Sequence, residues 1–252
     1  MAGKKDKYMI FSITAGRTGT GYLCRLMSLV PGVLSLHEPA PDFVTVMRQV
    51  QTDPDIAKKF LLEKKLPFIR KQNCDVYVET SHLFCKGFLE PLYILGVEFG
   101  CIILRRNPRY IALSLYQLNT IPGRTDLGLR YYLYPDDPVF LKLPDWHRYN
   151  DYQLCYWYAL EMDYRCSYYK SFLNARNIKT FETSIDQLKS FDHFIELCST
   201  FSLPLPDKNE FYSVSSQVVN SKKELKRPVP DELLKNIDSY EHEIEINIKR
   251  PE

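Results

Sequence analysis

The chain has 252 residues, 45% of them apolar and 25% charged, with a formal net charge of +2. Those proportions are ordinary for a soluble globular protein and exclude a disordered chain, a collagen-like fibre and a coiled coil. The near balance of charge also argues against a general nucleic-acid binder, which would be clearly basic, while leaving room for one local basic pocket.

Taken in chain order, strand and helix signals alternate. Residues 8–13 read as a buried strand, followed by a glycine-rich turn and a helix over 20–29. A second strand is expected at 32–36, helices at 43–51 and 54–66, a third strand at 75–79, a helix at 90–95, a fourth strand at 100–104 and a helix at 109–118. Strands separated by helices mean βαβ units: an α/β, three-layer domain whose central, mostly parallel sheet carries helices on both faces. The strands are continuous apolar runs, as burial on both faces requires. Residues 119–150 form a long irregular stretch rich in Pro, Tyr and Asp, a length that marks a functional loop. A long helix is expected over 152–174, where Cys155, Ala159, Met162, Cys166, Tyr169 and Leu173 recur on one face. A last strand at 179–182, a helix at 191–201, a polar segment at 213–227 and a helix near 231–242 complete one domain. Its core motifs lie in 8–118, the loop is 119–150, and the half from 151 to 252 is helical.

Seven cysteines form an odd set without CxxC or Cys/His spacing, so no zinc site is expected, and a reducing, cytoplasmic setting is the simplest reading. No run approaches the roughly 18 apolar residues of a membrane span, and residues 8–13 are too few for a signal sequence.

Glycine is scarce, ten residues, yet three of them, Gly16, Gly19 and Gly21, fall in Ala15-Gly16-Arg17-Thr18-Gly19-Thr20-Gly21 between the first strand and its helix. Backbone N–H groups and a helix N-terminus converge at such a turn and favour an anion. Thr18 and Thr20 offer hydroxyls, and Arg17 offers a fork for phosphate or sulfate oxygens. Tyr22 and Leu23 follow Gly21 where a Walker A loop has Lys and Ser/Thr, and the glycine order is not GxGxxG. Mg-ATP and dinucleotides are therefore disfavoured. A second basic motif begins after the fourth strand: Arg106, and eight residues later Ser114. Both motifs lie at carboxyl ends of strands, where open α/β sheets bind ligands.

The two motifs together resemble those of the sulfotransferases that use 3′-phosphoadenosine 5′-phosphosulfate (PAPS), of P-loop nucleoside triphosphate hydrolase-like fold. The resemblance implies that Arg17, Thr18, Gly19, Thr20 and Gly21 grip the 5′-phosphosulfate and that Arg106 and Ser114 grip the 3′-phosphate. It further implies PAPS as co-substrate, 3′,5′-ADP as product and in-line transfer without a metal. Arg17 stands where many members carry Lys. The acceptor must lose a proton, so a general base is needed. Glu38, in His37-Glu38-Pro39, resembles the base glutamate of heparan and tyrosylprotein sulfotransferases and is the favoured choice. His82 and His37 are alternatives, with Glu79 and Ser81 as supports or Glu38 as a simple helix cap. A late basic run, Ser221 to Arg227, is expected to bring Lys222, Lys223 or Arg227 over the nucleotide or to be a solvated charge run.

Tyr131, Tyr132, Tyr134, Trp146, His147 and Tyr149 are candidate walls for a small-molecule or carbohydrate acceptor or, equally, packing residues. The competing readings are a divergent P-loop kinase and a non-catalytic nucleotide-binding member of the fold.

Overall fold

The computed structural model describes residues 7–216 and 226–251. Strands β1 (Tyr8–Ile13), β2 (Val33–Leu36), β3 (Val76–Glu79), β4 (Phe99–Arg105) and β5 (Thr180–Ser184) form one sheet in the order β2-β3-β1-β4-β5, every pair parallel. β1 is central, with Ile10 opposite Val78 of β3 and Gly100 of β4. The helices are α1 (Thr20–Met27), α2 (Met47–Val50), α3 (Asp55–Phe60), α4 (Leu66–Lys71), α5 (Leu89–Ile94), α6 (Pro108–Gln117), α7 (Asp126–Tyr131), α8 (Asp151–Asn174), α9 (Phe191–Thr200), α10 (Lys208–Ser215) and α11 (Asp231–Asn247).

Strand alternation explains the three layers. Met9, Phe11 and Ile13 face a core shared with α2 to α6, α8 and α11, whereas Ile10, Val78, Ile102 and Leu104 face a second core shared with α1, α9 and α10. With both faces covered, β1 and β4 read as unbroken apolar runs.

Several boundaries differ from the expectation. Residues 43–51 split into a 3₁₀ turn (Phe43–Thr45), capped by the Asp42 carboxylate, and α2. The helix expected over 54–66 continues to Lys71 through a π turn at Leu61–Lys65. Pro67 lies inside this continuous helix, directly after the π turn, whose wider turn relieves the clash and the lost bond that a proline brings to a regular α-helix. Two short helices escaped the periodicity: α7, where Thr125 Oγ1 accepts from Gly128 N, and α10, where Asp207 accepts from Asn209 N and Glu210 N. The long loop is pinned to α8. Glu161 accepts from Phe140 N and Leu141 N, Trp157 Nε1 donates to Leu141 O, and Arg165 donates to Pro138 O. All six periodic residues of α8 are buried, and an Asn150/Gln153 capping box starts the helix. The seven cysteines are free thiols. Among the described residues no helix is long and apolar enough to cross a membrane.

Candidate active site

The chain leaves β1 through a loop with three left-handed residues: Gly16 (φ 82°), Arg17 (φ 57°) and Gly19 (φ 99°). Glycine adopts this region freely; an arginine there is strained, and strain of this kind, about 1–3 kcal/mol, collects at functional sites. Two close approaches require the glycines. A Cβ on Gly19 would lie 2.5 Å from Ile185 Cγ1, and one on Gly16 would lie 3.0 Å from His82 Cγ. The bare backbone of Gly16 thus lets the His82 ring lie against the loop.

The two basic motifs meet. Arg17 Nε donates to Ser114 Oγ at 3.1 Å, and Arg106 Nη1 donates to Arg17 O at 2.6 Å. Arg106 stands just beyond the end of β4, and Ser114 lies in the second turn of α6, started by the Asn107 cap and Pro108. Having accepted from Arg17, the Ser114 hydroxyl keeps its own proton to donate. The residues line a cavity of about 400 Å³ together with Gly19, Thr20, Gly21, Tyr22, His37, Tyr110 and Lys226. Arg17, Arg106 and Lys226 are cationic, and among the described residues no carboxylate is in the lining. Burial, and then the neighbouring Arg17, push the Arg106 guanidinium below its usual range. A bound anion relieves that repulsion. The N-terminus of α1 opens on the same cavity, and no side chain caps it among the described residues.

A second cluster follows β2 and β3. Glu38 is left-handed (φ 48°), and its Oε1 lies 3.6 Å from His82 Nε2 and accepts from His82 N at 3.4 Å. On the other side of the ring, His82 Nδ1 is 2.9 Å from Lys86 Nζ. Lys86 is fully buried, donates to Tyr131 O at 2.7 Å and lies over the rings of Tyr132 and Tyr158. Burial brings its pKa down to about 7. Burial, then Lys86, His37 and Arg17, hold His82 well below the usual imidazole range, so the ring is neutral. Tyr132 stacks on His82 with ring centroids 5.3 Å apart. His37 Nδ1 lies 2.7 Å from Thr80 O, which fixes a proton on Nδ1. Beneath this cluster Glu79 and Lys65 form a fully buried ion pair at 2.9 Å; Tyr77 donates to Glu79, and Lys65 also donates to Pro39 O, next to Glu38.

Arg17, Gly19, Thr20, Gly21, Arg106 and Ser114 are therefore brought to one cavity, and Glu38 and His82 to one neighbouring cluster. Other expected residues lie elsewhere. Thr18 is buried, its hydroxyl paired with that of Thr14, which donates to Leu104 O; the turn after left-handed Arg17 points it into the sheet. Arg227 Nε donates to Tyr116 O, and its guanidinium stacks on the Tyr116 ring at 3.8 Å, so its neighbour Lys226 lines the cavity instead. Lys222 and Lys223 lie outside the described residues. Of the aromatic candidates, Tyr131 and Tyr132 adjoin His82, whereas Trp146 and Tyr149 are buried in the core. Asp42, not Glu38, caps the following turn.

Lys86, Lys65 and Lys226 were not singled out from the sequence. The available signal for Lys86 was a lysine closing an apolar run, Leu83-Phe84-Cys85-Lys86; Lys65 lies in the charged stretch Glu63-Lys64-Lys65 and gave no such signal. A larger cavity of about 680 Å³, lined by Lys7, Tyr8, Asp75, Phe99 and Lys179 among others, opens at the amino ends of the strands, away from the end where such sheets bind ligands.

No protein-family model matches the sequence, and no curated protein matches it. Among solved structures the chain is similar to a sulfotransferase domain from the curacin biosynthetic pathway, with a TM-score of 0.51 and 14% identity over 97% of this chain and 99% of that one. The likeness spans both chains almost end to end, and with the five-stranded parallel sheet it gives the chain an α/β fold of sulfotransferase type.

Proposed function

We propose that the chain is a sulfotransferase that moves a sulfuryl group from PAPS to a hydroxyl or amine of a small-molecule or carbohydrate acceptor. The observation that carries this reading is the Arg106–Arg17–Ser114 chain of contacts in a cavity that also holds Lys226 and, among the described residues, no carboxylate, one loop away from Glu38 and His82. The cavity has the size of a nucleotide-class site. Arg106 and Ser114 hold the 3′-phosphate, with Lys226 at the same wall. The α1 N-terminus, Thr20 and Arg17 hold the 5′-phosphosulfate, the donor of the sulfuryl group. Tyr22 and Tyr110 offer flat surfaces to the base.

In the transfer step Glu38 takes the proton of the acceptor as the acceptor oxygen or nitrogen bonds to sulfur. The bond from sulfur to the bridging oxygen breaks, and 3′,5′-ADP leaves. Arg17 stabilises the charge that develops on the leaving oxygens, the kind of preorganised electrostatic help on which such transfers depend. His82 Nε2 lies 3.6 Å from Glu38 Oε1, so in this reading the ring adjoins and orients the carboxylate, and Glu38 is the base. The same fold could host a kinase or a non-catalytic nucleotide binder; thermal unfolding separates the kinase, and sulfuryl transfer from PAPS to an acceptor separates the non-catalytic binder. Saturating 3′,5′-ADP, at about 100 times its Kd, stabilises a binder by roughly 2.7 kcal/mol, a clear rise in Tm. That rise is expected with 3′,5′-ADP and not with Mg-ATP. The reverse pattern overturns the proposal in favour of a kinase.

A further inference from the structure

We propose that Lys86 is a positioning residue that fixes the tautomer of His82, so that the Nε2 proton faces Glu38. The proposal rests on the reading of Glu38 as base, and it adds a residue that no motif points to. Among the described residues, Lys86 Nζ has two polar neighbours at hydrogen-bond distance, Tyr131 O at 2.7 Å and His82 Nδ1 at 2.9 Å. A carbonyl can only accept, and below about pH 7 Lys86 is an ammonium that can only donate, so Nδ1 is left as the acceptor there. The neutral ring then carries its proton on Nε2. The positive charge is held where it is by aromatic faces, with the ring centres of Tyr132 and Tyr158 5.0 and 5.1 Å away. Tyr158 is itself anchored to the anion loop, donating to Ala15 O at 2.5 Å.

The consequence falls on Glu38. The main-chain N–H of His82 donates to Oε1 at 3.4 Å, and Nε2 faces the same oxygen from 3.6 Å, just beyond hydrogen-bond distance, so a proton there favours the carboxylate electrostatically. With Oε1 held, Oε2 is left for the acceptor's proton. Without Lys86 the ring proton can move to Nδ1, and the Nε2 lone pair then repels the carboxylate. The charged or titratable groups that act on Lys86 are Glu38 after β2, Arg48 on α2, His82 and Cys85 on its own stretch, and Arg165 on α8.

The chain has five histidines, which makes the test direct. Imidazole nitrogen-15 shifts are measured on the free wild-type chain at about pH 6, below the value of about 7 to which burial brings Lys86. His82 is assigned by the signal lost in His82→Gln. The expected result is a protonated Nε2 and an unprotonated Nδ1. In Lys86→Met the proton shifts toward Nδ1, and turnover falls about 100-fold while the affinity for 3′,5′-ADP is unchanged. In a His82→Gln background, whose amide can face Glu38 without any tautomer, Lys86→Met costs little more. A wild-type His82 protonated on Nδ1 overturns the proposal, as does an undiminished Lys86→Met effect in the His82→Gln chain. The tautomer is read without donor or acceptor. A chain that fails to bind 3′,5′-ADP therefore counts against the proposed function, and the wild-type shifts still decide the role of Lys86.

Discussion

Arg17, in the cavity, and Glu38, in the cluster beside it, both sit in left-handed backbone shortly past the end of a strand. Their side chains are aimed by that backbone: Arg17 onto Ser114, Glu38 onto His82. Glu38→Gln keeps the shape and an oxygen for the His82 main-chain N–H but cannot take a proton. We expect it to leave the Kd for 3′,5′-ADP unchanged and to lower turnover by about 100-fold or more; turnover near the wild-type rate removes Glu38 from the role of base. Lys86 carries a second expectation, in stability. Its pKa is about 7 in the fold against 10.5 for an exposed lysine. Between those values the unfolded chain binds more protons than the folded one, so stability rises with pH, with a slope of up to about 1.4 kcal/mol per pH unit. Below pH 7 both states are protonated and the slope vanishes. Urea unfolding at several pH values reads this directly: Lys86→Met is expected to flatten the rise, and an equal slope in both chains contradicts the depressed pKa. Arg17, Arg106 and Ser114 were legible in the sequence because local chain places them, a loop directly after a strand and a fixed step from strand end to helix. Lys86 was not, because its burial is made by Tyr131, Tyr132 and Tyr158, more than forty residues away. Lys226 and Arg227 were not separable either. Which of two adjacent cations lines the cavity depends on which one finds the ring of Tyr116.

At the scale of elements, long periodic segments were read well and short capped ones were not. α8 declared itself through six apolar positions, and it is buried on more than that face because Glu161 and Arg165 pair with each other and with the loop. That loop, 119–150, looked irregular because α7 is six residues long and is held by the Thr125 cap rather than by an apolar stripe. The loop's ordering matters to the site, since it delivers Tyr131 and Tyr132 to His82. The β1–α1 turn is the element most exposed to a single change. Gly19→Ala puts a Cβ 2.5 Å from Ile185 in a conformation that alanine resists. Loss of at least about 1 kcal/mol of stability is expected, with weaker 3′,5′-ADP binding. Trimming the clash in Gly19→Ala/Ile185→Ala is expected to leave much of the loss, because φ remains positive. Full restoration of binding by that second change shows that packing, not backbone conformation, governs the loop.

For the whole molecule, the sheet order sets which chemistry meets. β1 lies between β3 and β4, so the turn after β1 has His82 on one side and Arg106 on the other, and β2 adds Glu38 beside His82. A chain of near-zero net charge thereby concentrates Arg17, Arg106 and Lys226, among the described residues, at one cavity. The solved sulfotransferase domain to which the chain is similar shares this architecture at 14% identity, so the fold is common ground while the residues must speak for the reaction. The central claim is that the cavity recognises a nucleotide through both of its phosphate groups. Calorimetric titration of the wild-type chain and Arg106→Ala with 3′,5′-ADP and with 5′-AMP tests it most directly. The wild type is expected to prefer 3′,5′-ADP by at least about tenfold, the worth of a charge-assisted phosphate contact, and Arg106→Ala to lose that preference while binding 5′-AMP as before. Equal affinity for the two nucleotides in the wild type, or a preference that survives Arg106→Ala, contradicts the account.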